Sequence, residues 1–369
     1  MGAGLSISSL RIPLWQTLGA GIAVVVLSVS SGTLECNPLF ETREVAHGHE
    51  IYGRMCAVCH GVNGEGYKAD QAPALANASF LSSVSDPFLI AAITHGRAGS
   101  TMSAWGVEHS GPLAKPDVLA VVQYLRTWQP SATASLNEKT IEGDLTRGTG
   151  LYAQRCAQCH GAHGTGGPML SIGNPQLLST AGNGFLRYAV DNGRPGTQMP
   201  AFGTSLGAQG VEDVLALLRM WQTGAPAQTL RPAAAARPPP LPLGPVPLNP
   251  GGPEPIGFDG PGTFTKADVI KAQLDRGAKM GILDARAPSD YTGDHIVGSV
   301  SVPFYDPEPY IAGLPKDAWL VCYCGCPHAE SGQLAQKLKA KGFKKVTVLD
   351  EGLRYWVAKK YGTHSGMLP

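Results

Sequence analysis

The sequence predicts a multidomain chain in which two copies of one repeated unit precede an α/β domain with a parallel sheet. Three observations carry that expectation. Cys56-Ala57-Val58-Cys59-His60 returns 100 residues later as Cys156-Ala157-Gln158-Cys159-His160. A stretch dominated by proline, alanine and glycine, residues 225–262, separates the repeats from the C-terminal segment. From Phe264 onward, short apolar runs alternate with helix-period patterns, as they do where helices join parallel strands. At 369 residues the chain is also too long for one ordinary domain.

The pentapeptide pattern C-x-x-C-H is the attachment signature of c-type haem. Two thiols on one helical turn meet the two vinyl groups of one porphyrin. The adjoining histidine supplies an axial nitrogen to the iron. Two copies imply two covalently bound haems, with Cys56, Cys59, Cys156 and Cys159 as thioethers and His60 and His160 as iron ligands. A lone C-x-x-C also occurs in zinc half-sites and thiol redox pairs, but here the repeat extends far beyond five residues. Gly48, Tyr52, Gly61, Gly64 and Gly66 return as Gly148, Tyr152, Gly161, Gly164 and Gly166. Gly96-Arg97 returns as Gly193-Arg194, and Met102 as Met199, at a shorter offset, as two homologous units with different loops would give.

The repeats span residues 41–129 and 140–224, joined by a short polar stretch. Net charge is +1, so composition supplies no argument for nucleic-acid binding. The first 36 residues read as an export segment: Arg11 precedes an apolar run from about Leu14 to Leu34, with no acidic residue before Glu35. A cleaved signal peptide, an uncleaved membrane anchor and a lipid-modified Cys36 are all compatible with it. Each places the protein in the periplasm or on the membrane face, where c-type haem is attached. The proline-rich spacer, which includes Pro238-Pro239-Pro240, is a domain boundary whether it is extended or disordered.

Both repeats resemble class I cytochrome c. The resemblance implies a small all-α fold in which an N-terminal and a C-terminal helix cross. Gly48 and Tyr52 would meet Leu125 and Trp128 at that crossing, and Gly148 and Tyr152 would meet Leu218 and Trp221. It also implies a methionine as sixth ligand. Met102 and Met199 each lie about 40 residues after their haem histidine, in Ser100-Thr101-Met102-Ser103 and Thr197-Gln198-Met199-Pro200. A soft thioether favours ferrous iron and raises the potential. His95 and His109 compete for that role in the first repeat, as do His163 and Met169 in the second.

The last segment, residues 263–369, carries Asp284-x-Arg286, His295-Ile296-x-Gly298 and Leu349-Asp350-Glu351-Gly352-Leu353-x-x-Trp356. On these residues it resembles a rhodanese domain. Thr265 reads as the N-cap of a first helix, Asp284 and Arg286 as a structural ion pair, and His295 and Gly298 as turn residues. The resemblance places the nucleophile at Cys324, just after a central strand, with Cys326 as a second thiol. The loop Cys324-Gly325-Cys326-Pro327-His328-Ala329-Glu330-Ser331 departs from the family. Near its end it has Glu330 where an arginine is usual, and a carboxylate there would repel thiosulfate and raise a thiolate pKa. With Cys322 and His328 the loop also has the makings of a redox disulfide or a metal site, so persulfide carrier, disulfide, metal site and inert module all stay open.

These readings imply a periplasmic dihaem cytochrome that passes electrons between a redox donor and an acceptor such as a terminal oxidase. Sulfane-sulfur chemistry at the rhodanese-like cysteine would be coupled to it. The alternative is a pure electron-carrier subunit of a respiratory complex whose rhodanese-like domain serves for docking. A catalytic haem enzyme would need an open iron site.

Overall fold

In the computed structural model, residues 42–129, 132–224, 246–258, 264–325 and 327–369 are described. The export segment with Cys36, most of the proline-rich spacer and Cys326 lie outside the described residues. No helix among the described residues is long and apolar enough to cross a membrane.

The first repeat is helical. Helix α1, Arg43–Ile51, continues through a π-helical turn, Tyr52–Cys56, into α2, Ala57–His60. Helices α3 (Ala78–Ser83), α4 (Asp86–His95) and α5 (Lys115–Arg126) come next. Asn77 and Ser85 start α3 and α4 by accepting bonds from Phe80 N and Phe88 N. The second repeat has the same plan in α6 (Leu145–Arg155), α7 (Ala157–His160), α8 (Pro175–Thr180), α9 (Asn183–Asn192) and α10 (Gly203–Gly224), the last interrupted at Gly207.

In each repeat the first and last helices cross at a glycine. A side chain at Gly48 would fall on the Ala120 carbonyl of α5, and one at Gly148 on the Asp213 carbonyl of α10. Only hydrogen lets the backbones approach so closely. Aromatics fill the rest of the crossing: Tyr52 meets Trp128 edge-on at 5.1 Å and Tyr152 meets Trp221 at 4.8 Å.

One ion pair ties α6 to α10. The buried Asp213 carboxylate accepts from Arg147 Nε at 2.7 Å and Nη2 at 2.9 Å, and from Asp144 N at 2.7 Å. Chiefly through Arg147, these donors hold its pKa well below the usual carboxylate range. A depressed folded-state pKa contributes stability that is present above the unfolded value and lost as pH falls toward the folded one. We therefore expect stability to decline below about pH 4. Denaturant unfolding at graded pH should show a shallower acid limb for Asp213→Asn, and an identical limb would count against this role for the pair.

The third segment is an α/β layer. Five strands, β1 (Phe264–Thr265), β2 (Met280–Asp284), β4 (Ser299–Ser301), β5 (Trp319–Tyr323) and β6 (Val346–Leu349), form one parallel sheet in the order β1-β6-β5-β2-β4. A small antiparallel pair joins β3 (His295–Ile296) to β7 (Thr363–His364). Helices α11 (Ala267–Asp275), α12 (Pro288–Gly293), α13 (Glu308–Ile311), α14 (Ala329–Ala340) and α15 (Gly352–Ala358) make the connections. The central strands are buried along nearly their whole length, which is why they read as continuous apolar runs.

Two residues depart from the expectation that local sequence gives. Thr265 is a strand residue hydrogen-bonded to Thr347, and Lys266 takes the N-cap position. His295 is a fully buried strand residue rather than a turn residue, bridging the carbonyls of Tyr291 and Leu368.

Candidate functional site

Each C-x-x-C-H pentapeptide sits on a short helical turn whose orientation comes from one tyrosine. Tyr52 Oη donates to Gly61 O at 2.7 Å, and Tyr152 Oη donates to Gly161 O at 2.8 Å. This explains why tyrosine and glycine recur together. His60 Nδ1 lies 2.9 Å from Pro73 O, and His160 Nδ1 lies 2.8 Å from Leu170 O. A carbonyl only accepts, so Nδ1 carries the proton in both rings. That leaves the Nε2 lone pair for a metal, the arrangement in which imidazoles ligate. Burial lowers the pKa of both histidines, keeping them neutral and able to ligate.

The methionine loops are built alike. Arg97 N donates to Met102 O and Arg194 N to Met199 O, both at 2.9 Å. Ser100 Oγ and Thr197 Oγ1 each brace the turn by donating to the arginine carbonyl and accepting from the methionine amide. Gly96 and Gly193 have positive φ, and a side chain at either would strike the methionine carbonyl. The repeated Gly-Arg pair is thus the hinge of the loop.

Cys56, Cys59, His60 and Met102 border one cavity of about 500 Å³, together with Cys156, Cys159, His160 and Met199. Among the competing ligands, Met169 also borders it. However, Met169 N bonds to Cys159 O, and the neighbouring Leu170 holds His160, so Met169 belongs to the histidine-side loop. His95 and His109 are paired with each other instead, at 2.7 Å.

The lining fits a haem in two respects. Burial drives the Cys56 thiol up to about 12 and Cys156 to about 11, so both sulfurs are neutral in an apolar wall, as thioethers are. Arg97 and Arg194 also border the cavity, and burial lowers each guanidinium to about 10. Among the described residues they meet carbonyls, a hydroxyl and aromatic faces, with no carboxylate in hydrogen-bond reach. The carboxylates that such desolvated cations want are those a haem carries as propionates. The sequence carried the signal for these two residues in the repeated Gly-Arg pair, but it assigned them no role.

The two repeats meet across a local two-fold relation. Asn77 Nδ2 donates to Pro195 O and Asn174 Nδ2 to Ala98 O, and in both pairs the partners occupy equivalent repeat positions, 97 residues apart. Phe88 and Phe185, also equivalent, have ring centroids 5.3 Å apart, with Arg97 over one and Arg194 over the other.

In the α/β segment, Cys324 follows the central strand β5 at the carboxyl edge of the sheet, where sites in parallel sheets form. It is fully buried, with Sγ 3.2 Å from Ser331 Oγ in the first turn of α14. Arg286 is committed to Asp284 through bonds of 2.7–3.2 Å and to the Asp294 carbonyl. Tyr323 Oη donates to the same Asp284 carboxylate. His328 is turned to Asp350, at 2.7 Å, and among the described residues no group of three metal-ligating side chains occurs. Glu330 is buried beside Cys324, and burial raises its carboxyl pKa well above the ordinary range. By residue type it is a charged repeller of anions; in the fold, burial disfavours that charged form. Cys326 lies outside the described residues.

The model of the family "Cytochrome C oxidase, cbb3-type, subunit III" matches residues 43–125 and 143–218, and the rhodanese-like domain model matches 266–359. The FixP subunit of cbb3-type cytochrome c oxidase from Azorhizobium caulinodans is 28% identical over 197 residues, 52% of this chain and 64% of that protein. The CcoP subunit from Azospirillum sp. (strain B510) is 29% identical over 183 residues, 44% of this chain and 57% of that protein. The chain thus spans less than two thirds of the length of these relatives. The "Putative sulfur carrier protein YrkF" of Bacillus subtilis is 30% identical over 94 residues, 25% of this chain and 49% of that protein. A solved rhodanese-like domain from Anabaena sp. is 29% identical, covering 28% of this chain and 80% of that one, with a TM-score of 0.27.

Proposed function

We propose, from the premise that this chain carries two cbb3-type cytochrome c domains and a C-terminal rhodanese-like domain, that it is a periplasmic dihaem electron carrier serving a terminal oxidase. Sulfane-sulfur chemistry at Cys324 is coupled to it. The observation that carries this reading is the duplicated arrangement around one cavity. Each repeat offers two thiols, an imidazole with a free Nε2 and a methionine on a braced loop. Cys56, Cys59, Cys156 and Cys159 would anchor the groups covalently. His60 with Met102 and His160 with Met199 would ligate the two irons, and Arg97 and Arg194 would neutralise the propionates. Haems so held supply reversible one-electron chemistry.

With a histidine and a methionine holding each haem, neither iron would be open to a substrate. The oxidase assignment rests on the relatives, which are oxidase subunits by name. Attachment to the membrane is assigned to the N-terminal segment.

The test is a haem count and a ligand-binding spectrum. The pyridine haemochrome should give two c-type haems per chain, and carbon monoxide should leave the ferrous spectrum unchanged. One haem, or a carbon monoxide complex at either iron, would overturn the reading.

A second reading keeps the electron carrier and makes the rhodanese-like domain a docking module. The complete burial of Cys324 favours it. The two readings differ in whether sulfur donors change the redox state of the haems.

A further inference from the structure

The rhodanese-like domain is seated on the methionine loop of the first repeat, and both neighbours of Met102 are tied to it. Ser103 Oγ donates to Asp290 Oδ2 at 2.5 Å. Thr101 Oγ1 donates to Asp70 Oδ2, also at 2.5 Å, and Asp70 pairs with Arg354 at 3.6 Å. Gly325, next to Cys324, faces the Thr101 methyl: a side chain there would meet it at 3.5 Å. Trp105 meets Tyr305 at 5.6 Å. Two side chains of the rhodanese-like domain, Glu330 and Arg354, border the cavity that holds Cys56, Cys59, His60 and Met102. Glu330 is also close enough to Cys324 for the two to interact electrostatically. The fold therefore sets a sulfur nucleophile behind the distal loop of one particular repeat, the first.

We propose that Cys324 and the first repeat form a sulfide-oxidising junction: hydrogen sulfide is bound as a persulfide on Cys324, and its electrons enter the chain at the cavity behind Thr101-Met102-Ser103. This rests on the reading of the chain as a dihaem carrier. Two features select the substrate. Cys324 is 0% exposed and Gly325 beside it lies against Thr101 of the first repeat, so the substrate must be very small. The nearby cations are already engaged, Arg286 by Asp284 and Arg354 by Asp70, and position 330 is an acid instead of the family's arginine. Among the described residues, a thiosulfate dianion would find both of these cations already paired, and burying it unpaired is costly. Uncharged hydrogen sulfide meets neither obstacle.

Atoms and electrons balance in this step. Cys324–SH and H₂S become Cys324–S–SH. One S–H bond breaks on each sulfur, the S–S bond forms and two protons pass to solvent. The sulfur pair is oxidised by two electrons, which are taken up, one each, by two ferric haems c. A sulfite or thiol acceptor then removes the outer sulfur; with sulfite, Cys324–S–SH returns to Cys324–SH and thiosulfate is released. Two one-electron centres on one chain match a two-electron oxidation.

The test uses the full-length, fully ferric holoprotein without oxygen, with sodium sulfide as the probe. Two readouts are taken: the ferrous α-band, and the mass of the Cys324 peptide after thiol blocking. Sulfide should reduce both haems and add one sulfur atom to the peptide, while thiosulfate and glutathione persulfide should leave both readouts unchanged. Cys324→Ser should lose both sulfide responses yet remain reducible by ascorbate, which shows that it is folded and loaded. Arg354→Glu, at a half-exposed position, should slow the sulfide response alone. Equal reduction by sulfide in Cys324→Ser overturns the proposal. So does sulfur transfer from thiosulfate to Cys324 without haem reduction, which would leave the carrier and its sulfur site standing. Failure of ascorbate to reduce two haems per parent chain would instead remove the underlying reading, and the junction with it.

Discussion

Replacing Met199 by alanine should lower the reduction potential of the second haem on the order of 0.1 V, a fraction of the ~0.8 V that axial ligands span. It should also make the ferrous iron reactive toward carbon monoxide. A thioether ligand stabilises the ferrous state, so a Met199 that ligates the iron would leave an open position when removed. The loop should survive the substitution, because its bonds run through the backbone: Arg194 N donates to Met199 O, and Met199 N to Thr197 Oγ1. Met102→Ala should do the same to the first haem. A redox titration resolves the two waves. An unchanged wave in Met199→Ala together with a lowered one in Met169→Ala would transfer the ligand role to Met169, which borders the same cavity.

Gly148→Val should destabilise the second repeat by about 3 kcal/mol, the upper range for overpacking a well-packed contact. The new side chain would have to displace the Asp213 carbonyl of α10, which is backbone and cannot swing away. It would also disturb the Arg147–Asp213 pair that closes the same crossing. Gly150→Ala is the matched control. A side chain there meets nothing within 4 Å, so removing a helical glycine should stabilise by about 0.5–1 kcal/mol. Equilibrium denaturation of the two variants should therefore shift in opposite directions, and a shift in the same direction would refute the steric role of Gly148.

Much of the site was legible because haem attachment is a local demand. Two thiols and an imidazole on one turn are written as five consecutive residues, and duplication supplies its own control. The recurrence of Gly48, Tyr52 and Gly61 at one offset reflects a crossing and a tyrosine–carbonyl bond that each copy must remake. The parallel sheet was legible for the same kind of reason, since strands buried on both faces read as apolar runs. The errors fall where tertiary surroundings override local chemistry. Thr265 has good capping chemistry but is drawn into a strand by Thr347.

The amino-acid sequence by itself determined the two repeats, their thiols, histidines and methionines, the third domain and the place of Cys324 just after a central strand. These depend on spacing along the chain, which short-range geometry reads directly. Only the tertiary structure decided that Arg97 and Arg194 face the cavity without a carboxylate partner among the described residues, and that equivalent asparagines and phenylalanines join the repeats. It alone set Cys324 behind Thr101 and Ser103. Ser103 and Asp290 stand 187 residues apart in the chain. Their hydrogen bond comes from the packing of two surfaces that share no local pattern.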